Sequence, residues 1–415
     1  MKNLVILGAG TAGTMMANHL SKKLSKNDWQ ITVVDQHKTH YYQPGFLFLP
    51  FDIYTEDQVK KDGTKFVPKS VNYIQKKIEL IQPEANSVKL EGGESLGYDI
   101  LIVATGSTIA PDETEGMDGP MWHKNIFDFY TYEGAKGLRD KLREFEGGKL
   151  VVHITEMPIK CPVAPLEFAF LADSYFKNKG MRDKVDITYV TPLDGAFTKP
   201  RAAKALDYLL NEKNINEVTS FNIERVDYEN NKIIDYADVE VEYDLLVTVP
   251  TNMGDSVIER SGLGDDLNFI PTHKGTLQSK EYENMFVIGD ATNIPTSKAG
   301  SVAHFEAEIL TDNILSYIKG DELEEEFDGH ANCFVETGNG KALLIDFNYE
   351  HEPVEGTFPI PGIGPLRLLK ESRFNHMGKL AFRWVYWNML LKGVPIPFVP
   401  AKMNEKGKKL ETVNS

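Results

Sequence analysis

Cys161 and Cys333 are the only cysteines in the chain. Two thiols are too few for a disulfide-stapled scaffold or a four-cysteine zinc site, but enough for one redox pair. Cys161 stands in EMPIKCPVAPLEF, just ahead of a helix predicted over PVAPLEFAFLADSYF. The partial positive charge at a helix N-terminus lowers a thiol pKa there, and Lys160 adds to that effect. Cys333 sits in ANCFVE, a short predicted strand that runs through TGNG into KALLIDF, the pattern of a hairpin. The two lie far apart in the chain and have no local reason to pair, so two unrelated buried thiols account for them as well at this point. Glu167, six residues after Cys161, fits a proton relay or a plain helix-surface acid. The ten histidines are scattered without ligand spacing, and HExxH, CxxC, P-loop and G-x-S-x-G patterns are missing. No metal site is expected, nor zincin, thioredoxin, NTPase or hydrolase chemistry.

A second chemical signal opens the chain. NLVIL reads as a buried parallel strand, TAGTMMANHLSKKLS as a helix, and QITVVD as a second strand ending in an acid. Between strand and helix stand Gly8, Gly10 and Gly13, a G-x-G-x-x-G turn, with Asp35 at 22 residues beyond Gly13. Gly8 permits the tight turn, Gly10 lets backbone approach a pyrophosphate, and Gly13 lets helix pack on sheet. The anion rests on the helix N-terminus and Asp35 accepts from a ribose hydroxyl. YDILIVATG (98–106) and YDLLVTVPT (243–251) echo each other, which suggests two nucleotide-fold halves. MFVIGDATNIPTSKAG (285–300) adds a strand ending in Gly289 and Asp290, followed by a helix over residues 299–318. Asp290 suits a ribityl or ribose hydroxyl, or a simple helix cap.

Size and composition bound the class. The 415 residues have a mass of 46.7 kDa, 41% hydrophobic and 26% charged residues, which fits two or three globular domains. A net charge of −16 and a pI near 5.2 make nucleic acid a poor partner. The apolar run at residues 4–7 is too short for a signal peptide, and no uncharged apolar stretch reaches membrane-spanning length. Residues 361–400 differ from the rest. Arg367, Lys370, Arg373, Lys379, Arg383 and Lys392 face the single acid Glu371, a local balance of +5. Leu366, Phe374, Met377, Trp384, Trp387 and other apolar side chains are interleaved. That pattern describes an interfacial amphipathic helix with Lys and Arg on lipid phosphates, or equally a core-packing or dimer helix. DELEEEF (321–327) reads as a solvated turn or helix end.

GAGTAG with Asp35, the ATG at residues 104–106 and IGDATNIPTSKAG together resemble the FAD-dependent disulfide oxidoreductase superfamily. The resemblance implies an α/β fold of two Rossmann-like domains, with FAD as cofactor and Thr105, Gly106, Gly289, Asp290 and Lys298 in its site. Lys298 would stabilise the anionic reduced flavin or be a surface lysine. Residues 118–130 offer only His123 and no cysteine, so a cysteinyl flavin link there is excluded and the FAD is expected to be non-covalent. Most members carry a second glycine turn for NAD(P)H. Here KLVVHIT (149–155) is followed by no glycine from Glu156 through Phe168, and proline removes amide donors. The electron donor is therefore expected to be something else.

IKCPVAPLEFAFL and NCFVETGNGKALLIDF, with Tyr42 and Pro44 in the YYQPG loop beside the flavin, further resemble sulfide:quinone oxidoreductases. That resemblance implies a disulfide or sulfur bridge between Cys161 and Cys333. The thiolate that meets the flavin is assigned to Cys333 and the persulfide to Cys161, and the product is sulfur or polysulfide. Hydrogen sulfide and a membrane quinone are the implied reactants, with Phe374, Trp384, Trp387 and Lys379 at the quinone and membrane face. A peripheral protein of the cell membrane without signal peptide or transmembrane helix is expected, assembling as a homo-oligomer. The implied layout is an FAD-binding domain at 1–115 and 270–320, a second Rossmann-like domain at 116–269, and a C-terminal region at 321–415. The alternatives are a type-II NADH:quinone oxidoreductase, a flavocytochrome-type sulfide dehydrogenase subunit, and a non-catalytic FAD-binding partner or sulfur carrier.

Overall fold

The computed structural model describes residues 1–324 and 326–410. Two all-parallel five-stranded sheets organise it. In the first, the strands run in the order Met285–Val287, Ile100–Val103, Lys2–Leu7, Trp29–Asp35, Asn72–Gln75. In the second, the order is Ile126–Phe127, Leu245–Val249, Gly148–Ile154, Val185–Val190, Asn216–Val218. Leu4, Val5, Ile6 and Leu7 are fully buried, as an apolar run covered on both faces must be, with Ile81, Val88 and Leu90 of a small antiparallel sheet among the residues packed on Val5 and Leu7.

The Tyr-Asp echo has a physical basis. The echoing strands lie beside Lys2–Leu7 in the first sheet and Gly148–Ile154 in the second. At the edge, Asp99 accepts the Asn3 N–H at 2.6 Å, and Asp244 accepts the Lys149 N–H at 2.7 Å. Tyr98 and Tyr243 are buried beside them. Each echoing strand then leaves its sheet into one arm of an antiparallel pair, Ser107–Ala110 against Thr251–Gly254, which ties the two halves together.

The remainder packs against both halves. Ala331–Gly338 and Lys341–Phe347 form the expected hairpin carrying Cys333. The basic stretch beyond it is not one amphipathic helix. Gly364–Leu368 pairs with Gly356–Ile360 as a second hairpin, and the helix is confined to Arg373–Asn388. Ser372 starts that helix by accepting the Asn375 N–H at 3.0 Å. Gly320, with φ +80°, ends the long helix Gly300–Lys319 ahead of the acidic segment. Within that segment Phe327 is buried, and Glu325 lies outside the described residues. One continuous core runs from the first sheet through Cys333 to Trp387 and Leu391. Among the described residues no helix is long and apolar enough to cross a membrane.

Candidate active site

The first helix, Thr11–Lys23, starts directly from the glycine turn. Gly8 has φ +97°, and a Cβ there would lie 2.4 Å from the Ala104 oxygen. A Cβ at Gly13 would stand 1.9 Å from the Gly8 oxygen, so Gly13 closes helix onto strand. A Cβ at Gly10 would meet no protein atom within 4 Å, so this position faces open space at the helix N-terminus. Asp35 ends its strand with one oxygen on the Ala9 N–H at 2.6 Å and the other on the His37 N–H at 2.7 Å. It fixes the turn as well as facing it. Thr105 holds a buried hydroxyl with no partner. Asp290 accepts from Ser107 Oγ at 3.3 Å, and the Gly289 N–H donates to the buried Glu306 at 2.7 Å. An open glycine at a helix N-terminus and an orphaned buried hydroxyl fit a dinucleotide, and these residues would hold FAD.

These geometries separate the glycines experimentally. Gly13→Ala is expected to destabilise the apoprotein because helix and strand must part. Gly10→Ala is expected to leave apoprotein melting unchanged and to weaken FAD binding about tenfold, roughly 1.4 kcal/mol. Calorimetry and FAD titration read the two effects, and unweakened FAD binding by Gly10→Ala would remove this turn from the cofactor site.

Tyr42 is buried with its ring centroid 4.8 Å from Tyr386, and Pro44 lies exposed in the following turn. Tyr386 comes from the C-terminal helix. Its hydroxyl lies 2.7 Å from both Thr11 Oγ1 and His40 Nε2, so that helix closes over the glycine turn.

The cysteines converge. Cys161 and Cys333, brought in by a loop and a hairpin strand, each sense the charges of Glu167 and Lys379, and Cys161 acts on Cys333 as well. Both are free thiols, so the bridge implied by the resemblance is not formed here. Burial pushes the Cys161 thiol up to about 12, with the Glu167 charge adding to the rise and Lys379 opposing it. Burial, then Cys161 and Glu167, raise Cys333 as well. The expected lowering of the Cys161 pKa is overturned: the helix begins only at Ala164, and burial with the Glu167 charge raises the thiol. Lys160 is not among the charges that shift the thiol. Its ammonium lies 3.2 Å from the Ser107 oxygen and 3.4 Å from Gln43 Oε1.

Glu167 is fully buried, which excludes the helix-surface reading. Oε1 accepts the Glu336 N–H at 2.6 Å and pairs with Lys379, while Oε2 is buried without a partner. Burial raises the carboxyl to about 7 against the pull of Lys379. Lys379 also donates to the Phe334 oxygen at 3.1 Å. It is therefore a buried site residue, not the lipid-facing lysine that helical charge patterning suggested. Glu336, also buried, accepts from His376 Nδ1 at 2.9 Å, and that bond holds the imidazole pKa above its usual value.

Three further expectations resolve. Trp387 is buried and stacked on Phe66 at 5.2 Å, so it serves packing and not a membrane face. Phe374 and Trp384 are 62% and 63% exposed on the same helix. Lys298 is neither a surface lysine nor free for a flavin, because it is buried and donates to the Asp290 and Thr292 oxygens at 3.0 and 2.6 Å. Sequence reasoning missed Glu336, His376, Tyr386 and the site role of Lys379. One signal was present: Gly378, inside a helix, lets the backbone approach Phe334, whose ring would stand 3.1 Å from a Cβ there.

The family model for pyridine nucleotide-disulphide oxidoreductases matches residues 2–307, and the chain belongs to that family. It is an FAD-dependent oxidoreductase. Among curated proteins, the mitochondrial sulfide:quinone oxidoreductase of Dictyostelium discoideum is 28% identical over 396 residues, covering 94% of this chain and 86% of that protein. The Mus musculus protein of the same name is 25% identical over 397 residues, with coverage of 94% and 86%. Among solved structures, the sulfide:quinone oxidoreductase of Aquifex aeolicus superposes with a TM-score of 0.79 at 22% identity, covering 95% of this chain and 92% of that one, a likeness of fold.

Proposed function

We propose that this protein oxidises hydrogen sulfide and passes the electrons to a membrane quinone, releasing sulfur or polysulfide. The observation that carries this reading is the convergence of Cys161 and Cys333 on the buried Glu167–Lys379 pair, beside a turn that lacks the glycines a nicotinamide dinucleotide needs. In the oxidised state the two cysteines are bridged. Hydrosulfide attacks Cys161 and breaks the sulfur–sulfur bond, leaving a persulfide on Cys161 and a thiolate on Cys333. Bound FAD supplies the two-electron acceptor that quinone later reoxidises. Loss of that electron pair closes the bridge again with one added sulfur atom, and further sulfide lengthens and frees the chain.

The protein's own part is electrostatic and protonic. The Lys379 ammonium favours thiolate over thiol at both cysteines, against a burial that would hold them neutral. Glu167, titrating at about 7, takes the sulfide proton at its unpartnered Oε2 and releases it near neutral pH. The exposed Phe374, Met377 and Trp384 on the last helix, with Ile363 and Phe398 nearby in sequence, supply the membrane contact.

Anaerobic sulfide is expected to bleach the oxidised-flavin absorbance of the purified holoprotein, and decyl-quinone to restore it. Bleaching by NADH and none by sulfide would overturn the reading in favour of a type-II NADH:quinone oxidoreductase. Flotation with quinone-bearing vesicles checks the membrane contact, which is lost as a reading if the protein stays with the soluble fraction.

A further inference from the structure

Lys160 is a fixed cation without an anion. Its backbone is pinned at both ends: the N–H donates to Asn252 Oδ1 at 3.0 Å, and the carbonyl accepts the Tyr130 hydroxyl at 2.6 Å. Asn252 and Tyr130 are both buried. Next along the chain, the Cys161 N–H donates to the Lys298 oxygen at 2.8 Å. The ammonium lies against the Ser107 oxygen and Gln43 Oε1, and no carboxylate lies within ion-pair distance of it among the described residues. Its two partners are neutral, and each belongs to a loop of the FAD site. Gln43 lies between Tyr42 and Pro44, and Ser107 follows Gly106 and reaches on to Asp290.

A half-buried ammonium held by an amide and a carbonyl retains its full charge for whatever enters between those loops. Reduced flavin is an anion at neutral pH and oxidised flavin is not, so a fixed cation facing the ring selectively stabilises the reduced form. Lys298, the other lysine near this site, is held by two carbonyls of the Asp290 turn. We propose that Lys160 is the residue that sets the FAD reduction potential, presenting its charge to the flavin from between the Gln43 and Ser107 segments. The inference rests on the FAD site and not on which donor reduces it.

Burial lowers the Lys160 pKa, and the fields of Asp290 and Asp128 oppose that shift. The backbone anchors do not involve the side chain, so Lys160→Met retains them. The test is a photoreduction titration against reference dyes, with no sulfide present and with FAD at saturation. Lys160→Met is expected to weaken the reduced relative to the oxidised flavin about tenfold, a fall of about 30 mV in the two-electron midpoint. Lys160→Arg is expected to restore most of it. An unchanged midpoint in Lys160→Met overturns the proposal, even if FAD binds more weakly. Failure of sulfide to reduce the protein would leave this titration unaffected.

Discussion

Cys161→Ser and Cys333→Ser are each expected to lower the rate of sulfide-dependent flavin bleaching by about three orders of magnitude, roughly 4 kcal/mol of barrier, with FAD still bound. Serine matches the shape of cysteine, and the glycine turn, Thr105 and Asp290 lie on other elements, so neither change touches the nucleotide cradle. A bridge needs both sulfurs. The double variant is therefore expected to lose no more than either single one, as groups acting as one unit do. Anaerobic stopped-flow measurement at the flavin band decides the matter. Sulfide turnover retained in both single variants would reduce the cysteines to packing residues, as the buried Cys333 and the partly buried Cys161 by themselves permit.

Lys379→Met is expected to cost about 3–5 kcal/mol of stability, because it strands the buried Glu167 carboxylate without its ion-pair partner, whereas Glu336 keeps His376. Burial alone lowers the Lys379 pKa, but Glu167, Glu336 and Cys161 outweigh it and raise the value. The loss should depend on pH with a definite sign. Glu167 is raised from 4.5 to about 7 in the folded protein, so between those values the native state binds more protons than the unfolded one. Stability from this group is full below about 4.5 and declines as pH rises towards 7. Without Lys379 the folded pKa rises further, so the decline continues above pH 7. The melting temperature of Lys379→Met should fall further below that of the parent at pH 8 than at pH 6. Equal losses at both pH values would show that the ion pair is not what the substitution removes. Sulfide oxidation should slow in parallel, since both cysteines lose the charge that favours their thiolates.

What could be read from the chain alone was local. The glycine turn is legible because Gly13 is demanded by a backbone contact within one strand–turn–helix unit and Gly8 by its own φ of +97°. The Tyr-Asp echo is legible because Asp99 and Asp244 each satisfy an amide on a neighbouring parallel strand. The hairpin carrying Cys333 follows from its own turn residues. The failures all involve long-range packing. At Cys161 a helix start is visible in the chain, but the burial that raises its thiol is not. Amphipathic patterning grouped Lys379 and Trp387 with Phe374 and Trp384, yet the first pair turns inward. Trp387 meets Phe66 and His40 from the N-terminal half, and Lys379 meets Glu167 from the second sheet's helix. Those partners lie hundreds of residues away, beyond any window of helical periodicity. Only Gly378 carried a trace of this packing inside the helix itself.

The hydroxyl of Tyr386 has a consequence for the order in which the protein matures. Its partner Thr11 lies 375 positions earlier, at the first residue of the helix that opens from the glycine turn. The nucleotide cradle is thus begun at the glycine turn and roofed by a helix made some 375 residues later. Contacts of such sequence separation form late in folding. Until the C-terminal helix has been synthesised and docked, the cradle stands open on that side, so a nascent chain can take up flavin before it is able to close over it.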